Sequence, residues 1–308
     1  MSIKNSLRRF LHSNSLGVLV INLKRIINQQ HLLRKYTDQE FVIKEYKKRT
    51  GRDLNLDNPK RFTEKLQWEK LYYRNPVMTT CVDKIAARKY LKEKGYEDLL
   101  MPVFGAYRSV KEIPFEQLPK KCILKASHGS SMHLIKTEDI QRIPFLWKLI
   151  MKSWLKMNIY AEGREWPYKD VRPGIIVENF VEAKTENKLK DYKFFCFNGK
   201  PEFIQVDVDL LKDHRINFYD TSWNLLPIHC QYPNSEKQVK KPFNFEKMKQ
   251  IAADLSNTFP HVRVDFYEYD DVLKIGELTF FDGSGFYSFT PDEYDYRFGE
   301  KMALERYE

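Results

Sequence analysis

The sequence predicts an α+β fold with largely antiparallel sheets, and three observations carry this prediction. Apolar residues recur at helical spacing up to about residue 95, whereas short apolar runs bounded by turn residues dominate from about residue 100. The chain contains 18 Tyr and 21 Phe, which suits a sheet-rich interior. Asn198-Gly199 separates two apolar runs and is the dipeptide best suited to a type I′ hairpin turn.

The helical first third contains three predicted elements. Residues 1–60 are predicted to be helical and to end near Asn58-Pro59, because a residue before proline is disfavoured in the helical region. A second helix is predicted over 62–73, where Asn75-Pro76 follows as a breaker. A third is predicted over 80–94, with Gly95 as its stop.

The remainder is predicted to alternate between strands and helices. Small polar residues separate two of the strands, at 127–131, and we expect no flexible linker between the elements. The predicted strands cover 101–107, 121–126, 132–136, 175–180, 192–197, 202–207, 215–219 and 262–281, and the helices cover a Trp-rich segment near 147–155, then 245–259 and 291–305.

Composition excludes several classes of protein. A hydrophobic content of 42% argues against global disorder, and no apolar run approaches the ~20 residues of a membrane-spanning helix. No small-residue cleavage site follows the first apolar stretch, so a secretory signal is not expected. The four cysteines lie far apart, as in a reduced protein rather than a zinc ribbon or a disulfide framework. We therefore expect a cytoplasmic protein.

The net charge of +10 is concentrated at the start of the chain, where residues 1–60 hold 13 Lys/Arg and 5 Asp/Glu. One interpretation is an amphipathic helix in peripheral contact with the inner face of the cell membrane; the other is a helix packed on the body with its basic face in solvent. Nucleic-acid binding is not expected, because no helix-turn-helix or aromatic platform is present. The residues in question are the apolar Val18, Leu19, Ile26, Ile27, Leu32 and Leu33 and the basic Lys24, Arg25, Arg34 and Lys35.

Two acidic residues near the end of the chain are predicted to share one face of a hairpin. Strand alternation places Arg263 and Asp265 on the same face, and a turn near Asp271 sets Glu277 directly opposite Asp265. Opposed carboxylates repel unless a cation or a proton lies between them. The spacing therefore indicates a magnesium site, with Arg263 beside it to hold a phosphate or an oxyanion; exposed strand carboxylates are the alternative.

Two lysines interrupt apolar strands. Lys125 ends the run Cys122-Ile123-Leu124 just before the small-residue loop, and Lys193 lies between Tyr192 and Phe194. A lysine in such a strand either extends to the surface or meets an anion in a cleft. Small residues after Lys125 would let backbone N–H groups approach phosphate oxygens. Together with the carboxylate pair, these lysines indicate a site for a nucleoside triphosphate and magnesium.

These segments resemble the TupA-like ATP-grasp family, which is associated with teichuronopeptide and capsular-polysaccharide biosynthesis. The resemblance covers roughly residues 60–300. It is carried by Asp83-Lys84, Leu124-Lys125-Ala126-Ser127-His128-Gly129-Ser130, Glu178-Asn179-Phe180, Asp191-Tyr192-Lys193-Phe194-Phe195, Gly276-Glu277-Leu278-Thr279-Phe280 and Gly283-Ser284-Gly285.

The resemblance implies ATP and Mg²⁺ bound in a cleft between two subdomains. Beyond the basic helical segment that composition and pattern predict over 1–60, it implies an ATP-grasp domain over 61–308, with a small sheet at about 100–180 and a large sheet at about 181–300. Phosphate contacts are implied for Lys84, Lys125, Ser127, Gly129, Ser130 and Lys193. Adenine contacts are implied for Glu178, Asn179 and Phe180, and a ribose contact is implied for Glu182. Metal contacts are implied for Asp265, Glu277 and Thr279, and a catalytic role is implied for Arg263 with Lys193.

The chain departs from the family pattern at the metal site, since Thr279 stands where ATP-grasp ligases usually have Asn. Asp282, three residues further on, is the candidate to compensate for it. The activity implied is a carboxylate–amine ligase that forms an amide through an acyl phosphate, acting on a uronic acid or amino acid of a cell-surface glycan. Three alternatives stay open: a sugar or glycan kinase with Asp207, Asp209 or His128 as base, a glycosyltransferase of polysaccharide biosynthesis, and a binding protein with a degenerate nucleotide site.

Overall fold

A computed structural model describes residues 14–181, 190–208 and 214–304, which divide into two compact units. The first contains residues 14–37, 79–97 and 101–181, and the second contains 38–78, 98–100, 190–208 and 214–304. Within the predicted segment 1–60, residues 14–37 lie in the first unit and residues 38–60 lie in the second. Among the described residues, no helix combines the length and the apolar character needed to cross a membrane.

The α-helices, in chain order, are α1 Ser15–Lys35, α2 Asp38–Thr50, α3 Phe62–Tyr72, α4 Val77–Val82, α5 Ala86–Glu93, α6 Phe145–Trp154, α7 Tyr160–Gly163, α8 Phe245–Ser256 and α9 Glu293–Lys301. The Asn14 side chain accepts the Gly17 N–H at 2.7 Å and so caps the start of α1. The helix predicted to reach residue 58 ends at Thr50, where Gly51 has a φ of +76° and closes it.

The helix predicted over 80–94 is interrupted at Asp83. The Asp83 carboxylate accepts the backbone N–H of Ile85 at 3.0 Å, so a local side-chain bond replaces the helical pattern between α4 and α5.

The first unit contains a four-stranded antiparallel sheet. Its strands are β1 Val103–Tyr107, β2 Cys122–Ala126, β3 His133–Lys136 and β4 Ile175–Asn179, in the order β1-β4-β2-β3. Leu124 and Val177 are fully buried beside Ile150 and Trp154 of α6. The alternate residues of β2, among them Lys125, are only half-buried, so one face of this strand is free to carry polar groups.

The second unit contains a six-stranded antiparallel sheet in the order β10-β9-β5-β6-β7-β8. Its strands are β5 Lys190–Phe197, β6 Lys200–Val208, β7 Arg215–Asp220, β8 Leu225–Leu226, β9 His261–Tyr269 and β10 Val272–Thr279. Asn198 and Gly199 turn β5 into β6 with φ of 48° and 78°, which confirms the predicted type I′ turn. Two antiparallel sheets with flanking helices confirm the predicted α+β class.

The two faces of the large sheet are covered differently. On one face, Phe194 contacts Phe245 of α8, with 5.8 Å between the two ring centroids. On the other face, Phe195 contacts Phe62 of α3, and Phe203 stacks on Phe298 of α9 at 3.8 Å. These aromatic contacts occupy one end of that second face. Its other end carries the charged side chains of the candidate site.

Candidate functional site

Lys125 and Glu178 form an ion pair on the small sheet. Lys125 lies on β2 opposite Ile176, and Glu178 lies on the neighbouring β4 opposite Ile123, so the two side chains are diagonal neighbours on one face. The Lys125 Nζ donates to the Glu178 Oε2 at 2.5 Å. The structure therefore brings together the side chains predicted to contact the phosphates and the adenine.

The loop after β2 is anchored rather than open. The Ser127 side chain is fully buried, and its Oγ has no hydrogen-bond partner among the described residues. A side chain at Gly129 would come within 2.5 Å of Ile159, so only glycine fits there without rearrangement. The Lys84 Nζ donates to the Gly129 carbonyl at 2.9 Å, whereas Ser130 is exposed. The predicted phosphate contacts of this loop thus divide into a buried anchor and an exposed tip.

His128 belongs to the anchor. Its Nδ1 accepts the Gly174 N–H at 3.4 Å, so its Nε2 carries the proton and donates to the Trp154 carbonyl at 2.8 Å. Burial lowers the pKa of His128 and favours the neutral ring. A neutral imidazole held by two backbone groups stabilises the loop and is poorly placed to accept a proton from a substrate.

The predicted adenine contacts lie at the end of β4. Asn179 is exposed and Phe180 is half-buried, but the Asn179 N–H already donates to the Pro102 carbonyl at 3.0 Å. That amide is therefore engaged within the small sheet. Glu182, the predicted ribose contact, lies outside the described residues.

On the large sheet, Lys193 lies between two carboxylates. Its Nζ is 2.8 Å from Asp191, two residues before it on β5, and donates to Asp207 on β6. The Gln205 amide donates to the second oxygen of Asp207 at 2.7 Å. Although burial opposes the charged form of Lys193, these carboxylates outweigh it and raise the pKa of the lysine above its usual value. Lys193 is therefore a fixed cation in a buried polar cluster.

Arg263 holds the other half of this cluster. Its Nε and Nη2 donate to the two oxygens of Asp265 at 2.7 and 2.6 Å, and its Nη1 donates to Asp282. The Nη2 also donates to the Thr279 hydroxyl at 3.3 Å and lies 3.7 Å from the Glu277 carboxylate. Arg263 thus contacts every predicted metal ligand, and Asp265, Glu277 and Thr279 all lie on its face of the sheet.

A β-bulge produces this arrangement. Ile275 pairs with Phe266 and Leu278 pairs with Val264, so Gly276 and Glu277 together face Asp265. The turn at Asp270 and Asp271 is one residue shorter than predicted, which by itself would shift the pairing by one position. The extra residue in the bulge compensates for this shift, so Glu277 lies opposite Asp265 as predicted. The predicted neighbours are brought together, although by an irregularity that the sequence pattern did not indicate.

The cluster contains more acid than base. Its cations are Lys193 and Arg263, and its acidic side chains are Asp191, Asp207, Asp265, Glu277 and Asp282. Burial raises the pKa of Asp265 to about 8, although the positive charge of Arg263 acts to lower it. Burial, together with the negative charge of Asp207, raises the pKa of Asp191. One Asp191 oxygen is buried without a partner. Such an excess of carboxylate oxygen suits a hard divalent cation.

Within the described ranges, no three His, Cys, Asp or Glu side chains are grouped closely enough to hold a metal by themselves. Magnesium, however, is commonly bound by one or two carboxylates plus phosphate oxygens and water. The pair of Asp265 and Glu277 fits that mode of binding. Thr279 is a weaker metal ligand than a carboxylate. Its hydroxyl accepts a hydrogen bond from Arg263 and donates one to Glu277.

The sequence prediction missed two members of the cluster. Asp191 belongs to the family motif without a role of its own, and Gln205 lies outside every motif. Strand alternation contained the signal for Asp191, because it lies two residues from Lys193 and must share its face. Gln205 could be found only from the pairing of β6 with β5, where it lies opposite Lys193.

Part of this chain is similar in sequence to a known protein. A lipoteichoic acid synthase from Staphylococcus saprophyticus is 26% identical over 218 residues, which cover 68% of this chain and 28% of that protein. The chain therefore spans less than a third of this relative.

Solved structures with some likeness include a D-alanine–D-alanine ligase from Bacillus anthracis, with 15% identity, a TM-score of 0.39 and coverage of 65% of this chain and 57% of that one. The corresponding enzyme from Helicobacter pylori has 14% identity, a TM-score of 0.39 and coverage of 78% and 69%. The ATP-grasp ligase PsnB with a minimal precursor has 10% identity, a TM-score of 0.38 and coverage of 70% and 60%. Likenesses this low say nothing about activity.

The model of the family described as TupA-like ATPgrasp matches residues 64–303, which is most of the chain and includes both sheets. The match contains every predicted site residue, from Lys84 to Thr279. This chain belongs to the TupA-like ATPgrasp family.

Proposed function

We propose that this protein is an ATP-dependent carboxylate–amine ligase. Family membership supports the use of ATP, and the buried cluster around Lys193 and Arg263 supports chemistry on a strongly anionic group. A carboxylate oxygen of the first substrate would attack the γ-phosphorus of ATP. The bond from that phosphorus to the β-phosphate oxygen breaks, and ADP leaves. The resulting acyl phosphate is then attacked by an amine, which loses a proton as inorganic phosphate departs and the amide forms.

The observation that favours a ligase over a kinase is the state of the candidate bases. A carboxylate is already ionised at neutral pH and needs no base, whereas a sugar hydroxyl must lose a proton. Asp207 is engaged by Lys193 and Gln205, which hold its pKa below the usual value despite burial. His128 is held by two backbone groups. Both described candidates are therefore poor bases, and Asp209 lies outside the described residues.

The residues of the cluster receive distinct roles in this proposal. Lys193 would neutralise phosphate charge. Arg263 would hold the developing oxyanion of the acyl group, since its guanidinium presents several donors in a fixed plane. Asp265 and Glu277, with Thr279, would hold Mg²⁺, which polarises the transferring phosphoryl group when bound.

The substrates proposed are those of cell-surface polymer synthesis. The resemblance to the teichuronopeptide and capsule family supports a uronic acid or an amino acid as the carboxylate, and the relative named lipoteichoic acid synthase points in the same direction. A small-molecule or glycan acceptor is proposed as the partner.

The test is to incubate the protein with ATP, Mg²⁺ and a panel of uronic acids and amino acids, and to measure ADP with and without hydroxylamine. Hydroxylamine intercepts an acyl phosphate as a hydroxamate. We expect carboxylate-dependent ADP release and hydroxamate formation. A stable phosphosugar without hydroxamate would overturn the ligase in favour of a kinase, and ADP release with no carboxylate dependence would also contradict it.

A further inference from the structure

The solvent side of α1 carries a row of exposed apolar side chains. Leu16, Val20, Leu23 and Ile27 are exposed by 59, 37, 50 and 68%, respectively. Their spacings of four, three and four residues place them along one side of the helix. A row of large apolar groups in water is unfavourable unless a partner covers it.

The opposite side of α1 holds the helix against the first unit. The buried Asn22 amide donates to the Ser153 hydroxyl at 2.9 Å. Arg25 donates twice to Glu162, at 2.5 and 2.6 Å, and Gln29 donates to the same carboxylate at 2.8 Å. These polar contacts fix the orientation of α1, so the row of apolar side chains stays on its solvent side.

This arrangement corrects the residues expected for the membrane face. Val18, Leu19 and Ile26 were predicted to form it, but they pack against the core of the first unit. Ile27 does lie in the exposed row. The remaining three positions, Leu16, Val20 and Leu23, were not in the predicted set.

The charged residues of α1 itself are all basic. Residues 1–37 contain seven Lys/Arg and no Asp/Glu. Among them, Lys24 is exposed beside the row, and Arg34 is exposed seven residues beyond Ile27, in line with the row. Docking of a second copy through this side would bring identical positive charges together, which is unfavourable. An anionic surface with an apolar layer beneath it complements both features.

We propose that α1 docks on an anionic lipid bilayer, lying in the plane of its surface with Leu16, Val20, Leu23 and Ile27 at the level of the headgroups. The apolar row would enter the boundary between headgroups and acyl chains, and Lys24 and Arg34 would contact lipid phosphates. The proposal concerns attachment only, and it does not depend on the ligase activity proposed above.

The test uses the full-length protein without nucleotide and measures its cosedimentation with vesicles. We expect binding to vesicles containing phosphatidylglycerol, weaker binding at high salt, and little binding to pure phosphatidylcholine. The double variant Leu23→Gln/Ile27→Gln should lose about tenfold in binding. Lys24→Gln/Arg34→Gln should lose about tenfold or more on the anionic vesicles. Phe243→Gln, which removes an 81% exposed apolar residue of the second unit, should bind like the parent protein.

Two results would overturn the proposal. One is binding that is equal on neutral and anionic vesicles, or unchanged in both α1 variants. The other is a dimer, measured by light scattering, that dissociates in Leu23→Gln/Ile27→Gln, because the row would then belong to an interface between copies. Circular dichroism of each variant shows that a loss of vesicle binding is not a loss of folding.

Discussion

The guanidinium of Arg263 donates to both oxygens of Asp265, at 2.7 and 2.6 Å, in a buried part of the large sheet. Removal of one member of a buried ion pair leaves the other buried without its partner, so that it is either charged and unpaired or forced to change its protonation, which costs about 3–5 kcal/mol. We expect Arg263→Met to lower the free energy of unfolding by that amount in urea titrations. The double variant Arg263→Met/Asp265→Asn should recover about 1 kcal/mol or more of it. Strict additivity of the two single effects would contradict the pairing.

Lys193→Met should abolish most of the ATP-dependent activity. It should also lower the free energy of unfolding, because Asp191 and Asp207 lose their buried cation, so activity is compared at a temperature at which circular dichroism shows the variant to be folded. The lysine is the cation between Asp191 and Asp207, and the loss of one fixed donor at a developing charge lowers kcat by about 100- to 1000-fold. Steady-state ADP release checks this. Lys200→Met, an exposed lysine on the neighbouring strand, is the matched control and should keep full activity.

Glu277→Gln should weaken binding of the divalent cation. The substitution keeps the size of the side chain but removes a charge beside Asp265, and we expect the metal affinity to fall about tenfold or more. Electron paramagnetic resonance of added Mn²⁺ in the presence of a non-hydrolysable ATP analogue measures that affinity apart from turnover. Glu202→Gln, on the same sheet and paired with Lys301, should leave it unchanged.

Gly299→Ala should destabilise the protein although Gly299 lies in α9. In an exposed helix this change gains about 1 kcal/mol. Here a Cβ would lie 2.1 Å from the Lys60 carbonyl oxygen and 2.9 Å from the backbone of Phe62. Backbone cannot yield as a flexible side chain can, so we expect a loss of about 1–3 kcal/mol by thermal or urea unfolding. The neighbouring Glu300→Ala should change stability by less than about 0.5 kcal/mol.

His261 predicts a pH dependence of stability. Burial lowers the pKa of His261 to about 3, and its Nδ1 donates to the Cys196 carbonyl at 3.0 Å. The unfolded chain therefore binds a proton near pH 6.5 that the folded protein does not bind until about pH 3. The contribution of His261 to stability therefore falls as the pH drops below 6.5, with a limiting slope of about 1.4 kcal/mol per pH unit for one proton. Buried acids whose pKa is raised, such as Asp265, contribute with the opposite sign.

The variant His261→Asn keeps a donor at that position but cannot titrate. Between pH 5 and 6 the stability of the parent protein relative to this variant should fall as the pH drops, because only the parent gains a proton at this position on unfolding. Parallel profiles from urea unfolding would show that His261 is charged in the folded protein, in conflict with its buried position.

The sequence was a good guide to the large sheet because its signals are local. Asn198-Gly199 and the alternation around Lys193 and Arg263 depend only on neighbours along the chain, and they placed β5, β6 and β9 correctly. The break between α4 and α5 was missed because a single Asp83 side-chain bond decides it. The early end of α2 was missed because Gly51 lies in an otherwise helical pattern.

The candidate site was less predictable than the fold. Alternation could place Asp265 and Arg263 on one face, but the contacts of Lys193 with Asp207, and of Arg263 with Asp282, join positions 14 and 19 residues apart. Ser127 shows a second limit of the sequence pattern. Its position in a small-residue loop indicated a phosphate contact, but tertiary packing buries it completely, and no pattern within the loop distinguishes these outcomes.

The bulge at Gly276 and Glu277 also constrains how this hairpin can change. If β10 had one residue fewer at the bulge, the side chains from Leu278 onwards would point to the opposite face of the sheet. The strand could then keep its apolar face or its acidic face, but not both. The hairpin therefore cannot gain or lose one residue at the bulge and still keep both the apolar face and the acidic face of the strand. Any lengthening of the hairpin has to occur at the tip, beyond Asp270 and Asp271, where the pairing ends.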